Sequence, residues 1–313
     1  MFTGKGSIVL EDVPEPVPAA DEVVVTVEAV GICGSEIEAY VGTSTGRRPP
    51  LIFGHEMSVT IDGEPQRYVV NPLRTCGHCR ACVSGWSNLC ENRSLLSLHR
   101  NGGYAQRAVV RRDELFAVSP GVSAIAAAVV EPASTAQHAL EVPGGLEGKR
   151  VLIIGCGSLG LLGVQIALAS GASEVIACDV VPSRRELAAA YGARAVSEIT
   201  PGDRSDIVVD MVGSQVTRRL AIQACRAGGY VRLVGLLAQE SLLPVLDLIA
   251  GGLHVEGIYA YRTSHIEQAI RLIEEGKIDV EPMVTVGRLQ DAPEFFETLA
   301  KDPGKWVKVV MQP

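Results

Sequence analysis

The sequence predicts an α/β protein, a β-rich first third followed by a doubly wound parallel sheet with helices on both faces. Three observations carry this expectation. Glu22 to Val30 and Arg107 to Val118 alternate and are rich in Val. From about Ser123, short apolar runs alternate with helical segments, the pattern of strands buried on both faces. A glycine-rich turn lies directly between an apolar run and a helix at residues 155–160. At 313 residues, 47% of them apolar, the chain is long enough for about two domains with their own cores.

In chain order, Glu11-Asp-Val-Pro-Glu-Pro-Val-Pro18 reads as an extended tract stiffened by proline. Asp62-Gly63 between alternating apolar residues reads as a tight hairpin. Ser123 to Leu140 is Ala-rich and helical, interrupted at Pro132. Val151 to Ile154 is a short buried strand, followed by a helix from Leu159 to Ser170. Strands are expected at Val175 to Cys178, Ile207 to Val209, Tyr230 to Val234 and His254 to Ile258, and a helix at Arg184 to Tyr191. Helices near Ser264 to Glu275 and Pro293 to Ala300 precede a last strand, Trp306 to Met311, expected to return to the β-rich domain. The domain expectation is therefore 1–122 with 261–313 for the β domain, and 123–260 for the parallel-sheet domain.

Composition removes several classes of function. Lys plus Arg number 28 against 36 Asp plus Glu, a formal charge of −8, which disfavours a nucleic-acid partner. The most apolar stretch, Val151 to Ala169, is interrupted by four glycines and Gln165 and does not read as a membrane span. The start, Met1-Phe-Thr-Gly-Lys-Gly6, lacks the layout of a secretory signal, so a cytoplasmic protein is expected. Four of the eight cysteines fall between Cys76 and Cys90, a density that favours metal over disulfides.

Gly155-Cys156-Gly157-Ser158-Leu159-Gly160 is G-x-G-x-x-G between strand and helix. The first glycine permits the tight turn, the second lets a pyrophosphate approach the backbone, and the third lets helix pack on strand. The helix N-terminus at Ser158 and Leu159 then faces the anion. Asp179, at the end of the next strand, stands near the spacing expected for the acid that holds the adenosine ribose. A carboxylate there repels a 2′-phosphate, so NAD is expected over NADP. Arg184 and Arg185 read either as adenine-stacking residues or as solvent-facing ones.

Cys76, Cys79, Cys82 and Cys90 form C-x2-C-x2-C-x7-C. Four thiolates gathered by tight turns suit a tetrahedral zinc with no open position, a structural site; iron–sulfur ligation uses related spacings and stays open as the competitor.

Three further pieces, Gly31-Ile-Cys33-Gly-Ser35-Glu36, Gly54-His55-Glu56 and Val130-Glu131-Pro132, mean little singly. Their order, together with the four-cysteine segment, the glycine loop and the ending Lys308-Val-Val-Met311, resembles the zinc-containing medium-chain dehydrogenase/reductase family, in its polyol dehydrogenase branch, over nearly the whole chain. The resemblance implies a GroES-like catalytic domain beside a Rossmann domain. It implies a second, catalytic zinc held by Cys33, His55 and Glu131, with Glu56 as an exchangeable ligand. Thr135 matches the position that packs on nicotinamide. Ser35 would take the alcohol proton and pass it outward towards Glu38.

The chain departs from the family in three places. The segment after Glu56 is about ten residues shorter than the family pattern, Glu38 stands where a relay histidine is common, and Thr285-Val-Gly-Arg288 lacks the usual histidine. His138 reads as a helix-end packing residue, and His78 and His99 as surface residues. Arg47 and Arg48 read either as a solvated loop or as contacts for an anionic or hydroxylated substrate, and Lys308 as a pyrophosphate contact. The expected activity is hydride transfer between a secondary alcohol (polyol, sugar alcohol or cyclitol) and NAD, in a homo-oligomeric dimer or tetramer paired through the strand at His254 to Ile258. A biosynthetic ketone reductase and a non-catalytic NAD-binding protein are the competing readings.

Overall fold

Alternating Val residues let the strand Glu22–Gly31 bury one face, and its ten residues make it the hub of the first sheet. In the computed structural model, which describes residues 1–43 and 46–313, its first half pairs antiparallel with Arg107–Arg111, from Glu22 opposite Arg111 to Thr26 opposite Arg107. Its second half pairs with Glu56–Thr60, with a register shift between Val27 and Ala29. Its end meets the closing strand Lys308–Gln312, Val310 opposite Gly31. Among the described residues this is a seven-stranded sheet, running 284–288, 308–312, 22–31, 56–60, 67–70 and 115–117, with 107–111 also on 22–31. Val25, Val27, Val30, Phe53, Met57, Val59, Val110, Phe296 and Met311 fill its core. The unit comprises Met1–Glu131, Arg262–Glu274 and Val280–Pro313.

Asp62-Gly63 does make a turn, with Glu64 N–H donating to Ile61 O at 2.9 Å and Gly63 at φ +84°. The connection is nevertheless longer than a two-residue hairpin, because the ladder resumes only at Arg67 opposite Thr60. Pro65 has no N–H to give to the ladder, which delays the pairing.

The second unit, Pro132–Tyr261 with Glu275–Asp279, is a six-stranded parallel sheet. Its strands lie in the order Arg194–Val196, Glu174–Cys178, Arg150–Ile154, Ser205–Asp210, Cys225–Leu233, His254–Gly257. Numbered along the chain this is 3-2-1-4-5-6, the Rossmann order, whose direction reverses beside the strand that feeds the glycine loop. Leu152, Ile154, Ile176, Val208, Ile222 and Val231 form one layer of its core. The helix Ser158–Ala169 buries Gly160 through Ala167 without a break, so it is apolar all round rather than striped.

Three expectations shift. The helix Ala124–Ala128, expected in the second domain, packs on strands 22–31 and 56–60 of the first unit, because its alanines cover that sheet's apolar face. Residues 275–279 instead join the second unit, where Gln165 accepts from Asp279 N at 2.7 Å and donates to its carbonyl at 3.1 Å. The helical break falls at Val129, not Pro132: Pro132 is the third residue of Val130–Leu140, where a missing N–H costs no intrahelical bond. Among the described residues no helix is long and apolar enough to cross a membrane.

The edge of the parallel sheet is pinned by Asp203. Arg194 donates to its Oδ1 at 2.5 Å, and Thr200 donates to Oδ2 through N–H at 2.6 Å and through Oγ1 at 2.7 Å. Burial alone would raise this carboxyl, but Arg194 and Thr200 outweigh it and hold it at about 2. The folded value lies below the unfolded one of about 3.9, so its contribution is complete above that pH and is lost as pH falls through about 2. Asp203→Asn is expected to cost about 1–3 kcal/mol at neutral pH, and the gap between the two urea midpoints should narrow when both are measured near pH 2.5.

Candidate metal centre and dinucleotide loop

Cys76, Cys79, Cys82 and Cys90 bring their four sulfurs within 4.8 Å of one another. Individual separations are 3.5 Å for Cys76–Cys90, 3.6 Å for Cys79–Cys82 and 3.9 Å for Cys79–Cys90. A zinc–thiolate tetrahedron with bonds of about 2.3 Å has edges of about 3.8 Å, so the four sulfurs fit that ion. The backbone prepares them. N–H groups of His78 and Cys79 draw the Cys76 thiol down to about 6, while desolvation and the neighbouring sulfurs push Cys82 up to about 11. None of the eight cysteines is in a disulfide.

A second group, Cys33, His55 and Glu56, also places its ligand atoms within 4.8 Å. Cys33 is the extended residue before the helix Gly34–Val41, and its side chain projects from that helix start. His55 follows Gly54, whose φ of +96° and close approach to Tyr104 and Val30 leave no room for a side chain. Glu56 opens the strand Glu56–Thr60 and is buried, as is Lys308, whose Nζ donates to the Glu56 carboxylate and, at 3.0 Å, to Ile32 O. A Cβ at Gly31 would collide with that carboxylate.

Glu36 organises the group from behind. It is fully buried and accepts from Cys33 N at 3.3 Å, Gly54 N at 2.8 Å, Tyr104 OH at 2.6 Å and Ser97 Oγ. Its Oε1 lies 3.0 Å from His55 Nδ1. Burial works to raise its carboxyl, but His55, Arg47 and Ser97 prevail and hold it well below the usual carboxylate range. With Nδ1 committed to Glu36, His55 offers Nε2 to a metal.

Ser35 Oγ–H donates to Cys33 Sγ at 3.3 Å. Glu38 is half-buried, and burial raises its carboxyl against the pull of Arg47. Glu131 stands half-buried on the first turn of Val130–Leu140, outside the three-residue group, and Thr135 lies half-buried on the same helix. His138 is buried with Nδ1 at 2.7 Å from Ala260 O, while His78 and His99 are exposed.

In the second unit Gly155 takes φ +94°, and a Cβ there would meet Val212. A Cβ on Gly160 would fall on the Gly155 carbonyl, whereas one on Gly157 would meet nothing within 4 Å. The loop is thus tight at its first and third glycines and open at the second, a cradle that a side chain would fill. Gly157 caps the helix that starts at Ser158 and Leu159, whose N–H groups point out of the turn. Asp179 Oδ2 accepts from Cys156 N at 2.6 Å and Oδ1 from Val181 N at 2.8 Å. Arg184 lies 4.0 Å from Asp179 Oδ2, and Arg185 donates to Asp179 O at 2.8 Å.

Sequence reading missed Glu36, Ser97 and Tyr104 as supports of the metal group. Glu36 sits inside the Cys33 motif and was visible as a possible partner, but Ser97 and Tyr104 lie 61 and 68 residues away with no motif around them. Lys308 is not poised for a pyrophosphate: it is buried and committed to Glu56. Arg47 is buried rather than in a solvated loop.

Residues 19–120 match the alcohol dehydrogenase GroES-like domain, and residues 158–275 the zinc-binding dehydrogenase family. The chain is 30% identical to an L-threonine 3-dehydrogenase of Pyrococcus horikoshii over 90% of its own length and 88% of that protein's. It is 29% identical to a sorbitol dehydrogenase of Bacillus subtilis over 98% and 94%. Its fold superposes on the acetophenone reductase of Geotrichum candidum, solved in complex with NAD, with a TM-score of 0.89 and 32% identity, covering 100% of this chain and 96% of that one.

Removing the Glu36 carboxylate leaves several buried donors unpaired. Glu36→Ala is expected to lower stability by about 3 kcal/mol or more and to weaken zinc retention at the Cys33 group by about 10–100-fold. Thermal unfolding and metal content after dialysis against a graded chelator series check both.

Proposed function

The chain belongs to the zinc-containing medium-chain dehydrogenase/reductase family and is an oxidoreductase; from that premise we propose that it transfers a hydride between a secondary alcohol of a polyol, sugar alcohol or cyclitol and NAD. The observation that carries the proposal is the convergence of Cys33, His55 and Glu56, from separate segments, onto one group with Glu36 behind the histidine. The likeness to a sorbitol dehydrogenase supports the substrate class.

We assign two zinc ions per chain. Cys76, Cys79, Cys82 and Cys90 would hold the structural one, and the sulfur spacing supports this. Cys33, His55 and Glu131 would hold the catalytic one, Glu131 on its motif match alone, with Glu56 as the exchangeable ligand. When bound, zinc supplies Lewis acidity to the alcohol oxygen and NAD accepts the hydride. Ser35 would take the alcohol proton and pass it outward towards Glu38. Thr135 packs against the nicotinamide ring. Gly155, Gly157 and Gly160 shape the pyrophosphate turn, and the N–H groups of Ser158 and Leu159 face the anion. Asp179, held by two backbone N–H groups, receives the adenosine ribose and repels a 2′-phosphate, which supports NAD over NADP. Arg184 flanks it.

Absorbance of the reduced cofactor, followed across a panel of sugar alcohols and cyclitols with NAD and NADP, tests the reading. Cys33→Ala and Glu131→Ala are each expected to lower turnover by about 10³-fold or more while NAD affinity, read by fluorescence titration, stays within about twofold. Undiminished zinc-dependent turnover in both variants would overturn the assignment.

We infer that the chain self-associates through the edge strand His254–Gly257. Val255 there and Leu246 and Ile249 on the preceding helix Val245–Gly251 are exposed, which supports burial against a second copy. Leu246→Glu combined with Val255→Glu should convert the assembly to monomer in sedimentation, with the far-UV circular dichroism unchanged.

A further inference from the structure

We propose that Arg47 is a positioning residue for the proton step at Ser35, an inference that rests on the alcohol dehydrogenase reading above. Its side chain is only 8% exposed, and all three kinds of guanidinium nitrogen are engaged. Nη1 donates to Ser35 O at 2.8 Å and Nη2 to Ser35 Oγ at 3.0 Å, so one fork grips both oxygens of the same residue. Nε donates to Ser97 O at 2.6 Å, and the guanidinium carbon lies 5.5 Å from the Phe53 ring centroid. Ser97 is buried at φ +66°, an uncommon backbone for a residue with a side chain, and its Oγ holds Glu36. Arg47 therefore ties Ser35 to the support of His55.

The grip decides what the Ser35 hydroxyl can do. A hydroxyl has one hydrogen to give and two lone pairs. The hydrogen points to Cys33 Sγ, and Nη2 fills one lone pair. One lone pair is left for an incoming alcohol O–H, in a direction fixed by a rigid fork. As the alcohol O–H bond breaks and its proton forms a bond to Ser35 Oγ, the original hydroxyl hydrogen turns from Cys33 Sγ and leaves Oγ for water, its departure leading the arrival. The hydride from the same carbon goes to NAD, so alcohol and NAD become ketone, NADH and a released proton. Because the departing proton leads, Oγ carries partial negative charge in the exchange, and the guanidinium at 3.0 Å stabilises it. Arg47 thus fixes and polarises the serine through its fork and its charge. Its charge also bears on Glu38, three residues further along the same helix.

A double-mutant cycle separates this role from plain structural support. Arg47→Met and Ser35→Ala are each expected to lower kcat by about 10²-fold, with KM for NAD unchanged, and the double variant should be no slower than Ser35→Ala. Losses that multiply, or an Arg47→Met enzyme with the parental kcat, would overturn the proposal. A second readout needs no turnover: in the cobalt-loaded protein the thiolate-to-cobalt absorption of Cys33 should move alike in both single variants and no further in the double. If the parent oxidised no alcohol, the function reading would fail by itself. The spectral cycle would then decide on Arg47, coincident shifts supporting the clamp and additive or absent shifts refuting it. Should Arg47→Met fail to fold, Arg47→Gln carries the same cycle.

Discussion

A carboxylate sealed from water must be surrounded by donors, because leaving it bare costs many kilocalories per mole. Glu36 is such a group, and its partners come from four places: its own helix start at Cys33, the Gly54-His55 pair, Ser97 and Tyr104. Meeting that one charge obliges segments far apart in sequence to converge. The metal group inherits its shape from this requirement. Cys33 is held through its own N–H, His55 through both its ring and the preceding amide, and Ser97 passes the constraint to Arg47 and so to Ser35.

The other two sites solve comparable problems differently. The dinucleotide loop is ordered by Asp179, whose two oxygens take one N–H from the loop and one from the residue two positions on. That loop needs no ligand to hold its turn, because Gly155 and Gly160 close on each other through their missing side chains. The four-cysteine segment gathers its side chains by tight turns instead. Its sulfurs stand at a spacing that suits a tetrahedral cation.

How much of this was legible follows from range. The glycine loop, the cysteine spacing and the Rossmann alternation are local patterns, readable within some twenty residues. The grouping of Cys33 with His55 and Glu56 was legible only through the ordered resemblance, since no spacing rule joins residue 33 to residue 55. Glu36, Ser97 and Tyr104 were lost because a buried acceptor's donors carry no sequence signature. Arg47 and Lys308 misled for the same reason: basic residues near a loop or strand end default to solvent or phosphate, and only packing shows them buried against Ser35 and Glu56. The Val129 break and the placement of Ala124–Ala128 were also beyond reach, because an alanine-rich helix suits either sheet.

The pairing of Lys308 with Glu56 spans 252 positions. During synthesis Glu56 leaves the ribosome long before its cation has been made, and until then its carboxylate stays hydrated or captures a stray ion. The nascent β-rich segment can approach its native shape but cannot shut water out of that corner. Maturation of the centre is thus coupled to translation of the closing strand, and premature termination before Lys308 yields a chain whose defect lies at the far end of the message from the break.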